Sequence, residues 1–440
     1  MLSQEEKEIL EGIDPWKMYE WDCYLSQEIG SRMSGTEGDR KSIEWVSEHF
    51  RSQGLKVELD RFNTLSWEYR LSRFQVGPPL DRMLPSRAAY YSYPTPKGGV
   101  QGELIFVGKG TEEEFAAVDV KGKIALAQAS SADPLFWLGS LSTRARRHGA
   151  VAFVVCNSGP VAFTPSHSYG RWDHSGGWKT DYPSEAEGVP CVTIGSTDAM
   201  ELLYAVGRGG GVRANIAVDC TTEPRDGASI RAFITGKERP NERVLIHAHR
   251  DDGACSGAND NGTGTVAIMM LAQIIAKLPA PRRTIEFIST GSEEGISDGM
   301  VQYIANRKRD GTLLEAVAGF DIDMVGVGGP PRIVDGGTYP DQPDHEVKHN
   351  KELNDFVEKV GKEIGVYLGR LWGSWGTPEE GHLNENGVPA MCIWKADDPN
   401  YHSDNEHVDN IDWNAVKAVT QVIGVAAWRV ADDPDIVFPR

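Results

Sequence analysis

The pattern of apolar and polar positions changes twice along this 440-residue chain. Near the start, residues 5–11 and 15–30 place apolar side chains at helical spacing. Residues 30–37, GSRMSGTE, read as a loop, and 37–54 as an amphipathic helix with Ile43, Val46 and Phe50 along one face. Residues 56–63 alternate as a strand. From about Val76 to Val218 the apolar runs are short and broken by Gly and Pro. GELIFVG, GKIALAQ, AVAFVVC and PCVTIG read as strands, with a helix over 140–148 and a long polar loop, Phe163 to Gly188, that carries five aromatic residues. Loops of this length commonly carry function.

Beyond about Asp226 strands alternate with helices. ASIRAFITG, VLIHAH, RRTIEFIST, AVAGFDID and PAMCIW predict strands; residues 265–278, 299–309, 350–365 and 412–432 predict helices. An α/β domain is therefore interrupted in sequence by a β-rich insertion. The boundaries predicted are 1–75 for the first part of the α/β domain, 76–220 for the insertion and 221–440 for the remainder, which carries the chemistry. No internal repeat of fixed period is present.

Composition narrows the possibilities. A net charge of -19 argues against nucleic acid or an anionic membrane surface as partner. The N-terminal twenty residues are acidic and lack an apolar signal core, and no apolar run approaches the ~18 residues of a membrane span. The six cysteines are scattered without a CxxC pair, which predicts reduced thiols and a cytoplasmic location.

The candidate chemistry begins at Val244–Gly264, VLIHAHRDDGACSGANDNGTG. An apolar strand delivers His249 and Asp251 at its carboxyl end, the edge at which ligands bind in open α/β sheets. Later strands end at Glu293-Glu294, at Asp323 and before His402, and the loop after the first carries Asp260. One His or Asp at a strand end is ordinarily a cap, and Glu293-Glu294 alone would suit a helix N-terminus. Their joint occurrence at successive strand ends instead predicts a metal centre. Mixed imidazole and carboxylate donors suit zinc or manganese. More than four candidates suggest two ions sharing a carboxylate ~3.5–4 Å apart.

HRD (249–251), GANDNGTG (257–264), EEG (293–295), DMVG (323–326) and YHSD (401–404) resemble, in order, the motifs of the M28 family of co-catalytic zinc peptidases, most of which are aminopeptidases. The lead-in GSRMSGTEG and LKVELDRF shares the likeness, and VKGKIALAQ, GAVAFVVCN and VPCVTIG resemble a protease-associated (PA) domain. The resemblance implies a three-layer α/β/α zinc-exopeptidase domain with a mixed, mainly parallel sheet. It implies two Zn2+, with Mn2+ or Co2+ as substitutes. Asp260 would bridge them, His249 and Asp323 would complete one, and Glu294 and His402 the other. Glu293 would be the general base toward water activated between the ions, and Asp251 would hold the His249 ring. A cis peptide between Asp260 and Asn261 is also implied. The substrate would be a short peptide. The inserted domain would cap the crevice or contact a partner subunit in a homodimer.

The chain departs from the family where a Ser-Asp-His stretch is common: here it reads GTPEEGHLNENGVPA, with His382 the candidate replacement. Trp372 and Trp375 are candidates for a pocket wall or for the core, and Tyr401 for an oxyanion contact or for packing. Arg250, Arg370 and Lys395 would bind a substrate's terminal carboxylate in a carboxypeptidase, or lie on the surface. Carboxypeptidases and single-zinc glutaminyl cyclases of the family are alternatives, as is a scaffold without metals. Three local patterns offer rivals. His247-Ala-His249-Arg-Asp251 resembles the HxHxD of metallo-β-lactamase-type hydrolases, Gly253-Ala-Cys255-Ser-Gly257 a nucleophile elbow, and Gly262-Thr-Gly264-Thr-Val-Ala267 a dinucleotide fingerprint. The favoured reading turns His247 to the sheet face opposite the ligands.

Overall fold

The computed structural model describes residues 2–128, 140–164, 188–209, 211–339, 342–373, 379–395 and 397–440. Most of the aromatic loop between Phe163 and Gly188, and Trp375, lie outside them. In chain order the elements are α1 (Gln4–Gly12), α2 (Pro15–Cys23), α3 (Glu37–Ser52), β1 (Lys56–Val76), β2 (Arg82–Leu84), β3 (Arg87–Ala88), β4 (Val100–Phe106), α4 (Glu112–Ala116), β5 (Ile124–Gln128), α5 (Ser140–Arg147), β6 (Ala152–Cys156), β7 (Cys191–Ile194), α6 (Ser196–Gly207) and β8 (Arg213–Ile234). There follow β9 (Arg239–His249), α7 (Thr263–Ile275), β10 (Arg283–Thr290), α8 (Glu293–Ile296), α9 (Asp298–Asp310), β11 (Ala316–Asp323), β12 (Arg332–Tyr339), β13 (Gln342–Lys348), α10 (Lys351–Ile364), β14 (Gly369–Gly373), α11 (Glu379–Glu385), β15 (Ala390–Trp394) and α12 (Trp413–Asp432).

The chain forms two compact units. One contains residues 1–64, 225–398 and 406–440, and the other 65–224 and 399–405. The first is built on a sheet in the order β13-β12-β15-β11-β9-β10-β8. β9 lies parallel to β10 and β11, and β11 parallel to β15. The flanking pairs β8–β10, β12–β15 and β12–β13 are antiparallel. The sheet is thus mixed, with a parallel centre.

Alternation along the central strands sorts their residues onto two faces. Val244, Ile246 and Ala248 of β9, Ala318, Phe320 and Ile322 of β11 and Ile285 and Phe287 of β10 share a core with α7 and α12. Leu245 of β9 and Ile288 of β10 instead pack with Met300, Tyr303 and Ile304 of α9 and Leu383 of α11. Helices therefore cover both faces, giving three α/β/α layers. α7 is apolar nearly all round and buried along its length, as a helix inside a large core must be. Gly264 near its start admits this packing, because a Cβ there would lie 2.2 Å from the Ile322 carbonyl oxygen.

The chain runs from β9 through α7 to β10, then through α9 to β11 on the far side of β9. Helices leave β9 and β10 on opposite faces, so the carboxyl ends of these strands form a topological switch point.

In the second unit β4, β5, β6 and β7 form a parallel sheet, with the start of β8 antiparallel to β4 and β3 antiparallel to β7. Its core gathers Val107, Phe115, Ala125, Phe153, Val155 and Phe163.

The elements differ from the sequence expectations in several places, these among them. The helix predicted over 15–30 ends at Cys23 and continues as a π-helical turn, Tyr24–Ile29. The strand from Lys56 runs on to Val76, alternating buried and open positions. α6 was not anticipated. Nor was the β12–β13 hairpin with β14 beside it, whose glycines and polar residues give no apolar period.

Candidate metal centre

His249 is the last residue of β9 and Asp323 the last of β11, so the parallel register delivers both to one edge. His249 Nε2 lies 3.2 Å from Asp260 Oδ1 and 3.3 Å from Asp323 Oδ1. One donor atom each of His249, Asp260 and Glu294 falls within 4.8 Å of the others, and all three are buried. Asp251 lies beneath this group. Its Oδ1 is 3.6 Å from His249 Nδ1, and its two oxygens accept the backbone N–H groups of Glu293 (3.1 Å) and Glu294 (3.2 Å). One carboxylate thus fixes the ring and the turn that carries both glutamates.

That turn needs unusual backbone. Gly291-Ser292 leads from β10 into α8, with Ser292 in the left-handed region at φ 63°. On the other side Asp260 sits in a π-helical turn joined to Asn261 by a cis peptide. Glu406 Oε1 accepts the N–H groups of Asn259 (3.0 Å) and Asp260 (2.8 Å). Arg32, fully buried, donates to the carbonyls of Arg250, Ser256 and Gly257 at 2.5–2.6 Å, while its own N–H reaches Asp252. Arg32 and Glu406 therefore hold the loop that presents Asp260. Neither stands out in the sequence, because each lies far along the chain from what it braces.

The electrostatics are those of a site short of positive charge. Burial pushes the Glu293 carboxyl well above its usual range; His249 opposes this, while Glu294, Asp323 and Asp251 add to it. Burial likewise raises Asp323. For His249 burial opposes the charged ring, but Asp251, Asp260 and Asp323 outweigh it and hold its pKa well above normal.

His402 belongs to the second unit. There its Nδ1 lies 2.9 Å from the Thr164 carbonyl, its backbone is left-handed (φ 51°), and its ring stacks on Tyr401. Tyr401 packs against that unit's core.

Two expectations are corrected and one rival pattern is set aside. His247 does not point away from the ligands. Residues two apart on a strand share a face, so His247 lies behind His249, with its Nδ1 3.3 Å from Asp321 of β11. Arg250 is neither surface nor substrate clamp: it is fully buried, paired with Asp39 at 2.6 Å and bonded to Ser42 and three backbone carbonyls. Cys255 is not at an elbow. It lies in the loop before the π-helical turn, where its N–H donates to Asp252 Oδ1 (3.2 Å) and its Sγ lies 3.5 Å from Glu406 Oε2. Arg370 is occupied by Asp335, Asp355 and Glu358. Trp372 is exposed, and His382 is buried in α11.

Residues 230–427 match the model of peptidase family M28, and residues 100–202 that of the PA domain. The M28 match covers the strands and loops that carry His249, Asp260, Glu294 and Asp323. It is 28% identical over 317 residues to aminopeptidase YwaD of Bacillus subtilis (strain 168), covering 69% of this chain and 60% of that protein. It is 24% identical over 314 residues to carboxypeptidase Q of Xenopus laevis, covering 70% and 65%. The matched region thus spans under two thirds of these relatives. Among solved structures it resembles a peptidase M28 precursor from Shewanella amazonensis SB2B (TM-score 0.79, 19% identity, 99% of this chain and 97% of that one). It also resembles the zinc aminopeptidase BSAP from Bacillus subtilis (TM-score 0.70, 21% identity, 96% and 97%). These M28 folds share its mixed sheet with flanking helices. Among the described residues no helix is long and apolar enough to cross a membrane.

Proposed function

We propose that this chain is an M28 metallo-exopeptidase, most simply an aminopeptidase acting on short peptides. The observation that carries the reading is the convergence of His249, Asp260, Glu294 and Asp323 at one strand edge with Glu293 beside them. The donor set fits divalent zinc. Two carboxylates crowd one imidazole nitrogen in a buried setting, an arrangement relieved when a cation stands between them. His249, Asp260 and Asp323 would hold one ion, and Asp260 with Glu294 a second. Zinc so bound lowers the pKa of water and polarises a carbonyl. The fifth family position, His402, belongs to the other unit, and the proposal rests on the four held by the first.

The chain's own residues then divide the work. Asp251 keeps His249 oriented and fixes its tautomer. Glu293 holds its proton more tightly than an ordinary glutamate, so it can take a proton from attacking water and return it to the leaving amine. Glu294, adjacent but turned to the donor cluster, leaves Glu293 available for that role.

The relatives divide between aminopeptidase and carboxypeptidase. Two of the three cations that could clamp a terminal carboxylate are engaged elsewhere, Arg250 with Asp39 and Arg370 with three carboxylates. This favours cleavage from the amino end. The test is a panel of free, N-blocked and C-blocked peptides, assayed with and without chelator. Release of N-terminal residues that stops on chelation is expected. Hydrolysis of N-blocked but not free-amine peptides would remove the aminopeptidase reading. Chelator-resistant activity abolished by iodoacetamide would move the chemistry to Cys255.

A further inference from the structure

Two residues back along the same strands lies a second buried polar cluster that the proposed chemistry does not use. His247 of β9 and Asp321 of β11 are register partners, and Nδ1 of the ring lies 3.3 Å from Asp321 Oδ1 and 3.7 Å from Glu379 Oε2 of α11. One donor atom each of His247, Asp321 and Glu379 falls within 4.8 Å of the others. Thr290 donates a 2.5 Å hydrogen bond to Glu379 Oε2. Behind them Glu380 Oε1 lies 3.3 Å from His349 Nε2, and Asp321, Glu380 and Cys392 form an overlapping group.

This cluster is not a solvated acidic patch. His247 and Glu380 have no exposed surface, and both nitrogens of His247 and both carboxylate oxygens of Glu380 lack a hydrogen-bond partner, as do Asp321 Oδ1 and Glu379 Oε1. Among the described residues no Lys or Arg stands within ion-pair distance of the three carboxylates; their only basic neighbours are the two imidazoles. Several carboxyl groups buried together must either keep their protons or find a neutralising charge.

The structure assigns a further divalent-cation site to His247, Asp321 and Glu379, separate from the strand-end centre and lying below it in the core. One imidazole and two carboxylates are the donor chemistry of zinc or manganese, and two carboxylates balance the charge of one divalent ion. The surroundings fit a neutral backing. His349 Nδ1 lies 2.9 Å from the Val334 carbonyl, so its Nε2 faces Glu380 as an acceptor. Burial pushes His349 down to about 4, leaving its ring neutral near pH 7. The site would be structural, because no substrate reaches it: its role would be to tie α11 to β9 and β11 beneath the catalytic edge.

The test is anomalous diffraction at the zinc edge on crystals of the full chain grown with excess zinc, paired with metal analysis of protein in solution. Density enclosed by His247, Asp321 and Glu379 is expected, together with loss of one equivalent of metal in Glu379→Gln. Density at the strand-end cluster with none in the lower one would overturn the assignment and leave the exopeptidase reading standing. Equal metal content in wild type and Glu379→Gln would also overturn it. If Glu379→Gln does not fold, the anomalous map of the wild type decides alone.

Discussion

Two clusters of nearly the same composition sit on one face of one sheet, a single strand repeat apart. The upper one, His249, Asp260, Glu294 and Asp323, is presented by strand ends and loops and has Glu293 at its side. The lower one, His247, Asp321 and Glu379, is locked between the sheet and α11. The difference lies in what surrounds the donors. The upper cluster is framed by turns with left-handed or cis backbone and steadied by Asp251, Arg32 and Glu406. The lower cluster is framed by regular elements, β9, β11 and α11. Donor chemistry alone therefore does not mark a catalytic site. A base beside the donors, on turns at the strand ends, does.

The sharpest separation of the two comes from Glu293→Gln. Removal of a general base costs about 10²–10⁴-fold in rate. The amide keeps the shape of the side chain, and Glu293 is not among the donors, so metal content should stay unchanged. Turnover measured alongside metal analysis checks this, and retained turnover would take the base role from Glu293. The same readouts on Glu379→Gln should show the reverse pattern, one metal equivalent lost and activity kept.

Glu380 supplies a second contrast, in pH. Its carboxyl is raised from 4.5 to about 8 in the folded protein. A carboxyl raised on folding contributes stability that is fully present below its unfolded pKa and is lost as pH rises through the folded value. The chelated wild-type protein should therefore lose stability between about pH 5 and pH 8, on the order of a few kcal/mol. Denaturant unfolding at the two pH values measures it. In Glu380→Gln the loss should shrink without vanishing, because burial also lifts Asp298 to about 7. With zinc present the sign of the pH effect should weaken or turn, since ions compete with protons for the neighbouring carboxylates. An unchanged slope in Glu380→Gln would show that this carboxyl is not the group responsible.

A smaller effect is expected at Asp251, which touches the upper cluster alone. Asp251→Asn keeps an acceptor for the backbone but removes the charge facing His249 Nδ1. Metal affinity should fall about 10–100-fold, with most turnover recovered at saturating zinc. A loss that zinc does not rescue would place Asp251 in the chemistry itself.

The sequence made the upper cluster legible because each of its parts sits in a local motif. A buried strand ending in His249-Arg-Asp251, the loop around Asp260 and the Glu293-Glu294 turn are short patterns with a physical reading. The parallel centre of the sheet followed from apolar runs interleaved with helices. The lower cluster escaped because its parts are separate. Asp321 is one acid inside an apolar strand, and Glu379-Glu380 is an acidic pair in a segment that departs from the family pattern. His247 was turned to the wrong face although the two-residue period of the strand already placed it with His249. Arg250 is misplaced for a different reason: a lone Arg in a polar stretch reads as surface, and only the fold shows Asp39 buried against it. The β12–β13 hairpin and β14 were missed because Gly336, Gly337 and polar residues carry no apolar alternation.

The least effect should come from Cys392→Ser, and it bears on where the lower ion sits. Cys392 joins Asp321 and Glu380 in the overlapping group, so a cation could in principle use that side of Asp321 instead of the His247 side. Burial, with Glu380, Asp321, Asp323 and Glu293 nearby, drives the thiol's pKa well above normal and so favours the protonated form. A neutral thiol is a poor ligand, whereas the His247 ring offers its lone pair at no cost in protons once it is neutral. Cys392→Ser should therefore keep its metal equivalents and leave activity within about twofold, the range of a quiet substitution below ~0.5 kcal/mol. The cobalt-loaded protein offers the discriminating signal: thiolate-to-cobalt charge transfer in the near ultraviolet should be absent in wild type and variant alike. A thiolate band that disappears in Cys392→Ser would move the ion to the Asp321–Glu380–Cys392 side and make the lower cluster a thiolate site, chemically unlike the one above it.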